Sequence, residues 1–145
     1  MSDYLYLPKN PNEYVIITTN GIVKKNGEAV MGAGLAKLAS EHYQGLPKQL
    51  ARHLERYGNR CFIFPKYNLI TFPTKHHFKD KSDDELINKS LSELKIMIHK
   101  FGITKVYMPR IGCLNGGLDW KYVKSIIEFW LRHEIDDDIV VYTEP

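Results

Sequence analysis

The chain has 145 residues, a net charge of +3, 43% hydrophobic residues and two cysteines. That length and apolar fraction predict one domain over residues 1–145 with a real core. No apolar run approaches the roughly 20 residues that span a bilayer, no basic n-region opens the chain, and Cys61 and Cys113 fall in separate elements, so a membrane partner, an export leader and a disulfide framework are not expected, and a cytoplasmic location is.

Residues 4–7 fit a short edge strand. Residues 14–18, Tyr-Val-Ile-Ile-Thr, form a continuous apolar run and predict a strand buried on both faces. Residues 20–31 read as a loop. Residues 33–43 have helical spacing, with Leu35, Leu38, Ala39 and His42 on one face. Pro47 suits the first turn of a second helix that reaches Tyr57 and stops at Gly58 and Asn59. Residues 61–64 and 68–72 are two strands joined by Pro65, Lys66 and Tyr67 into a hairpin. Ser82 or Asp83 caps a long helix whose stripe is Leu86, Ile87, Ser90, Leu91, Leu94, Met97 and Ile98, and Gly102 ends it. Residues 105–108 are a strand. Asp119 caps the last helix, which buries Val123, Ile126, Ile127 and Trp130, and residues 138–142 are the final strand. Strands alternate with helices apart from the hairpin. The fold class is therefore α/β, a mixed sheet with helices on both faces.

Two glycine-rich turns stand at strand ends: Gly-Glu-Ala-Val-Met-Gly-Ala-Gly-Leu-Ala-Lys over residues 27–37, and Pro-Arg-Ile-Gly-Cys-Leu-Asn-Gly-Gly-Leu-Asp-Trp over residues 109–120. Glycines let a backbone approach closely, and a helix N-terminus carries partial positive charge, so such a turn suits a phosphate. Two of them suit the two phosphates of a diphosphate. The plainer reading is that these glycines only shape turns. Ligands of open α/β sheets bind outside the carboxyl ends of strands. Thr71-Phe72-Pro73-Thr74-Lys75 ends there too, so three distant loops are expected to meet at one cleft. Neither turn completes a dinucleotide fingerprint or a P-loop: Gly32-Ala33-Gly34-Leu35-Ala36-Lys37 lacks the third glycine and the Gly-Lys-Ser/Thr.

Basic residues are scattered, with a local excess at Lys75-His76-His77-Phe78-Lys79-Asp80-Lys81. This suits an anionic ligand but makes no nucleic-acid-binding stripe. The six histidines lack zinc spacing, and no metal or cofactor is expected. Cys113 lies inside the second turn without an evident histidine to activate it as a nucleophile.

Thr18-Thr19-Asn20-Gly21 with Met31-Gly32-Ala33-Gly34-Leu35-Ala36, and Met108-Pro109-Arg110-Ile111-Gly112-Cys113 with Asn115-Gly116-Gly117-Leu118, resemble the two ligand loops of macro domains, the ADP-ribose-binding family. Phe72-Pro73-Thr74-Lys75 is similar to the subgroup of terminal ADP-ribose protein glycohydrolase and the DNA ADP-ribosyl glycohydrolase antitoxins. The resemblance runs nearly end to end. It implies a three-layer α/β/α macro-domain fold with a mixed central sheet, and a compact monomer of bacterial or phage type. Its partner would be ADP-ribose or an ADP-ribosylated protein or DNA. Two departures stand out. The protein glycohydrolase carries an aspartate at the position of Gly116, and the usual Gly-Asp start is represented only by Ser2-Asp3-Tyr4.

By that resemblance Asp3 accepts a hydrogen bond from adenine and Asn20 binds the distal ribose. Met31, Gly32, Ala33, Gly34 and Leu35 form the first phosphate loop. Ile111, Gly112, Cys113, Leu114, Asn115, Gly116, Gly117 and Leu118 form the second. Lys75 is the catalytic candidate. It either attacks the anomeric carbon of an opened ribose as a neutral amine or orients substrate and stabilises charge. His76 and His77 are accessory candidates for proton transfer or ribose contact, or are exposed loop residues. Tyr43 and Phe78 pack on the ligand or merely on the protein, and Trp120 reads as core. The activity implied is hydrolysis of ADP-ribosyl linkages, by de-ADP-ribosylation or by deacetylation of O-acetyl-ADP-ribose. The alternatives are an ADP-ribose 1''-phosphate phosphatase and a non-catalytic ADP-ribose reader.

Overall fold

A computed structural model describes residues 7, 8, 10–32, 34–113 and 116–143. The strands are β1 (Glu13–Thr19), β2 (Phe62–Phe64), β3 (Leu69–Pro73), β4 (Lys105–Met108) and β5 (Val140–Tyr142). The helices are α1 (Gly34–His42), α2 (Leu46–Tyr57), α3 (Asp84–Lys100) and α4 (Trp120–Asp136). The sheet order is β2-β3-β1-β4-β5. All neighbours run parallel except β2, which pairs antiparallel with β3 through a 3-10 turn over Pro65–Tyr67.

Alternation along a strand explains the three layers. Tyr14 and Ile16 of β1 face one side and join Ile70, Phe72, Val106 and Met108 against the apolar stripes of α3 and α4. Val15 and Ile17 face the other side and pack with Leu69 against α1 and α2. A strand covered on both faces needs the unbroken apolar run seen in β1. Asp83 caps α3 by accepting from Leu86 N–H at 3.1 Å, and Asp119 caps α4 by accepting from Tyr122 N–H at 3.2 Å.

Several sequence expectations need correction. The buried residues of α1 are Ala36 and Ala39; Leu35 and Leu38 are half-buried and His42 is exposed. Small residues face β1, where the helix lies close to the sheet. In α4 the buried line is Val123, Ile127, Leu131 and Glu134, while Ile126 and Trp130 are half-buried. The final strand starts at Val140 because Asp138 adopts φ 58, a turn conformation. The expected strand at residues 4–7 falls mostly outside the described residues, and Leu7 is exposed.

β1 is central; the chain lays β2 and β3 on one side of it, then crosses to the other side for β4 and β5. The carboxyl ends of β1, β3 and β4 therefore open a crevice where the winding changes direction.

Candidate functional site

A cleft of about 370 Å³ occupies that crevice. Thr18, Thr19 and Asn20 come from the end of β1, Thr74 and Lys75 from the end of β3, and Pro109 and Arg110 from the end of β4. The strand exits are tied together: Thr74 N–H donates to the Thr19 carbonyl at 3.1 Å, and Asp83 N–H donates to the Thr74 carbonyl at 2.7 Å. Among the described residues, Lys75, Lys79 and Arg110 line the cleft against a single acidic residue, Asp80, so this lining is net positive and suits an anion. The Arg110 guanidinium lies 5.1 Å from the centre of the Trp120 ring.

Both glycine turns reach this cleft. Gly32, Gly34, Leu35 and Ala36 line it from the first turn, with Gly34 at φ +65 opening α1. Gly112, Cys113 and Gly116 line it from the second. Glycine is required at 116. A Cβ there would collide with the Gly112 carbonyl and the Ser82 hydroxyl, so no larger side chain fits without moving the main chain. Ser82 N–H donates to the Gly116 carbonyl at 2.9 Å, and Leu118 N–H to the Gly112 carbonyl at 3.0 Å. The Cys113 thiol donates to the Ile111 carbonyl at 3.3 Å.

Asn20 is buried at the cleft floor. Its Oδ1 accepts from Ile22 N–H at 3.0 Å and its Nδ2 donates to the Val30 carbonyl at 3.3 Å. The amide thus holds the 20–30 loop and keeps one N–H and one lone pair for other contacts. Asn59 Nδ2 donates to the main-chain carbonyl of Lys75 at 2.9 Å.

The remaining sequence candidates sit elsewhere. Met31 is buried with Val15 and Ile17 in the core beneath α1 and α2. Ile111 is buried in the opposite core and Leu118 packs against it, so both support the second turn from behind. Gly117, at φ +76, is exposed. His76 Nε2 lies 3.3 Å from the Asp83 carboxylate. His77 Nδ1 accepts from Lys79 N–H, and its ring stacks on Phe78 at 4.3 Å. Neither histidine lines the cleft, whereas Phe78 does. Tyr43 stacks on Tyr67 at 4.5 Å on the α1–α2 side, and Trp120 packs edge-on against Tyr142. Asp3, Ala33, Leu114 and Asn115 lie outside the described residues.

Thr18, Thr19, Thr74, Asp80, Ser82 and Arg110 line the cleft without having been singled out as ligand residues by their sequence pattern. Thr18, Thr19, Thr74 and Arg110 fall within the segments that resemble the family's loops, whereas Asp80 and Ser82, between β3 and α3, carry no such signal. Ser82 is 8% exposed, and its hydroxyl is buried with no hydrogen-bond partner among the described residues. Among the described residues, no three His, Cys, Asp or Glu side chains gather as metal ligands, and no helix is long and apolar enough to cross a membrane.

No protein-family model matches the chain. It is 33% identical to the ADP-ribose glycohydrolase OARD1 of Bos taurus, over 78% of this chain and 74% of that protein. It is 30% identical to the DNA ADP-ribosyl glycohydrolase of Thermus aquaticus, over 81% of this chain but only 34% of that protein, so the chain spans about a third of this relative's length. Among solved structures, the macrodomain of Mycobacterium tuberculosis DarG superposes with a TM-score of 0.79 at 25% identity, covering 98% of this chain and 95% of the other.

Proposed function

The chain belongs to the macro domain family, in the subgroup of OARD1 and the DarG macrodomains, and from that membership we propose that it is a hydrolase that binds ADP-ribose and frees it from a modified macromolecule. The observation that carries this reading is the convergence of two glycine turns and Lys75 on one net-positive cleft at the carboxyl ends of β1, β3 and β4. Its volume is in the range of small-ligand sites.

In this reading the whole of residues 1–145 is one macro domain. The diphosphate lies between the turn at Gly32, Ala33, Gly34 and Leu35 and the turn from Gly112 to Leu118, held by main-chain N–H groups and the N-terminus of α1. Asp3 accepts from the adenine amine, and Asn20 takes a distal ribose hydroxyl with its remaining N–H. Lys75 stands at the distal ribose. Cleavage of an ADP-ribosyl linkage breaks the bond between the anomeric carbon and its acceptor, with water giving its hydroxyl to that carbon and its proton to the departing acceptor; with O-acetyl-ADP-ribose water splits the ester instead, giving acetate and ADP-ribose. If Lys75 attacks the opened ribose as an amine, the intermediate is a Schiff base that borohydride reduces to a stable adduct. If it only steadies charge, no adduct forms. The acceptor to test first is DNA, since relatives bear that name and the cleft lip offers Phe78 and Lys79 to a base and its phosphate. Two cysteines in separate elements, Cys61 and Cys113, suit a reducing, cytoplasmic setting.

The test is calorimetric titration with ADP-ribose, followed by product analysis on an ADP-ribosylated oligonucleotide, an ADP-ribosylated peptide and O-acetyl-ADP-ribose. The reading predicts binding and release from at least one of the three. Tight binding without release from any of them would make the protein a reader, and no binding would remove the reading altogether.

A further inference from the structure

Asn59 stands just past the end of α2, and its side chain makes two contacts beneath the cleft. Its Nδ2 donates to the Lys75 carbonyl at 2.9 Å. The same side chain fills the space over Gly21: a Cβ on Gly21 would lie 3.0 Å from Asn59 Cγ, 3.1 Å from Nδ2 and 3.3 Å from Cβ. Gly21 follows Asn20 at the exit of β1, and Lys75 follows Thr74 at the exit of β3. These strands are paired, with Thr19 opposite Pro73. Asn59 therefore reaches from another element to join two neighbouring strand exits. The amide orientation follows from the contact, because the flipped amide would set oxygen against oxygen. Asn59 Oδ1 is buried with no hydrogen-bond partner among the described residues, a cost that a purely apolar filler would not carry.

We propose that Asn59 is a positioning residue for Lys75: by holding the Lys75 carbonyl and resting on Gly21, it sets the main chain from which the lysine side chain reaches the reacting carbon. This rests on the function proposed above. A displacement of the lysine main chain by a fraction of an ångström moves the amine relative to the anomeric carbon but leaves the glycine turns that hold the diphosphate in place. The signature is a loss of turnover without a matching loss of affinity. Gly21 supplies an independent handle. The three atoms nearest to a Cβ added there all belong to the Asn59 side chain. Gly21→Ala thus acts by pushing on Asn59.

The experiment compares Asn59→Ala, Gly21→Ala and the double variant with the wild type. Each is measured for kcat of ADP-ribose release, for ADP-ribose affinity by calorimetry and for melting temperature. Each single substitution is expected to lower kcat by about tenfold while ADP-ribose Kd stays within about twofold. The double variant is expected to be no slower than Asn59→Ala, because the group that Gly21→Ala displaces is already gone. Kd and kcat falling together with the melting temperature, or additive losses in the double variant, would overturn the proposal and leave Asn59 a structural residue. If the wild type turns over no substrate, the proposed function has failed by itself. The readout is then the rate at which an acylating amine reagent labels Lys75, followed by peptide mass spectrometry. A severalfold change in both single variants supports the positioning role, and unchanged labelling in both overturns it.

Discussion

Ser82 and Gly116 are joined main chain to main chain, with the Ser82 N–H donating to the Gly116 carbonyl at 2.9 Å. This bond fastens the segment between β3 and α3 to the second glycine turn, so the Lys75 side and the glycine-turn side of the cleft share one frame. The closeness it imposes leaves no room for a Cβ at 116. Gly116→Ala is therefore expected to push the turn off Ser82. ADP-ribose affinity should fall by more than about tenfold, since several main-chain hydrogen bonds are lost at once. Calorimetry checks this; an unchanged Kd would place the diphosphate elsewhere.

The Ser82 side chain gives a prediction of opposite sign for stability. Its hydroxyl is buried with no partner among the described residues, and such a group destabilises the fold relative to an apolar atom by about 1–3 kcal/mol. Ser82→Ala should leave the melting temperature of the free protein unchanged or raise it. A clear fall would mean that the hydroxyl is bonded in solution.

Acid should weaken the α3–α4 pairing. Glu134 is buried at 2% exposure, with His99 Nε2 at 2.8 Å and Lys95 Nζ at 3.7 Å. Burial pushes its carboxyl up, but the hydrogen bond from His99, a main-chain bond and the charge of Lys95 outweigh it and hold the group below its ordinary value of 4.5. A carboxyl depressed in the folded state contributes stability that is fully present above its unfolded value and is lost as pH falls through the folded one. Thermal melts should show a decline beginning below about pH 4.5 that is shallower in Glu134→Gln. Parallel acid limbs in the two proteins would contradict the pairing.

What the chain reveals before folding depends on how local the cause is. The unbroken run of Tyr14, Val15, Ile16 and Ile17 signals a strand covered on both faces because every second residue must meet a different helix layer. The caps at Asp83 and Asp119 are legible because the bond spans three residues. The far end of α4 is not. Glu134 is buried only because Lys95 and His99 of another helix meet it, and Leu131 departs from helical angles at φ −121 and ψ 27. In the cleft, the glycine turns and Lys75 stand out by composition and resemblance. Asn59 reads locally as a helix stop, since its contacts with Gly21 and Lys75 exist only after β1 and β3 pair.

The most direct test of the whole account is ADP-ribose release by Lys75→Ala beside the wild type, on whichever substrate the wild type cleaves. In the proposed reading binding rests mainly on main-chain turns that this substitution does not touch, so ADP-ribose Kd should remain within a few-fold. Release needs a group at the anomeric carbon and should drop by about a hundredfold or more, the pattern of an interaction made mainly in the transition state. A Lys75→Ala protein that binds ADP-ribose and releases it at the wild-type rate would contradict the account and shift the chemistry to another residue of the cleft.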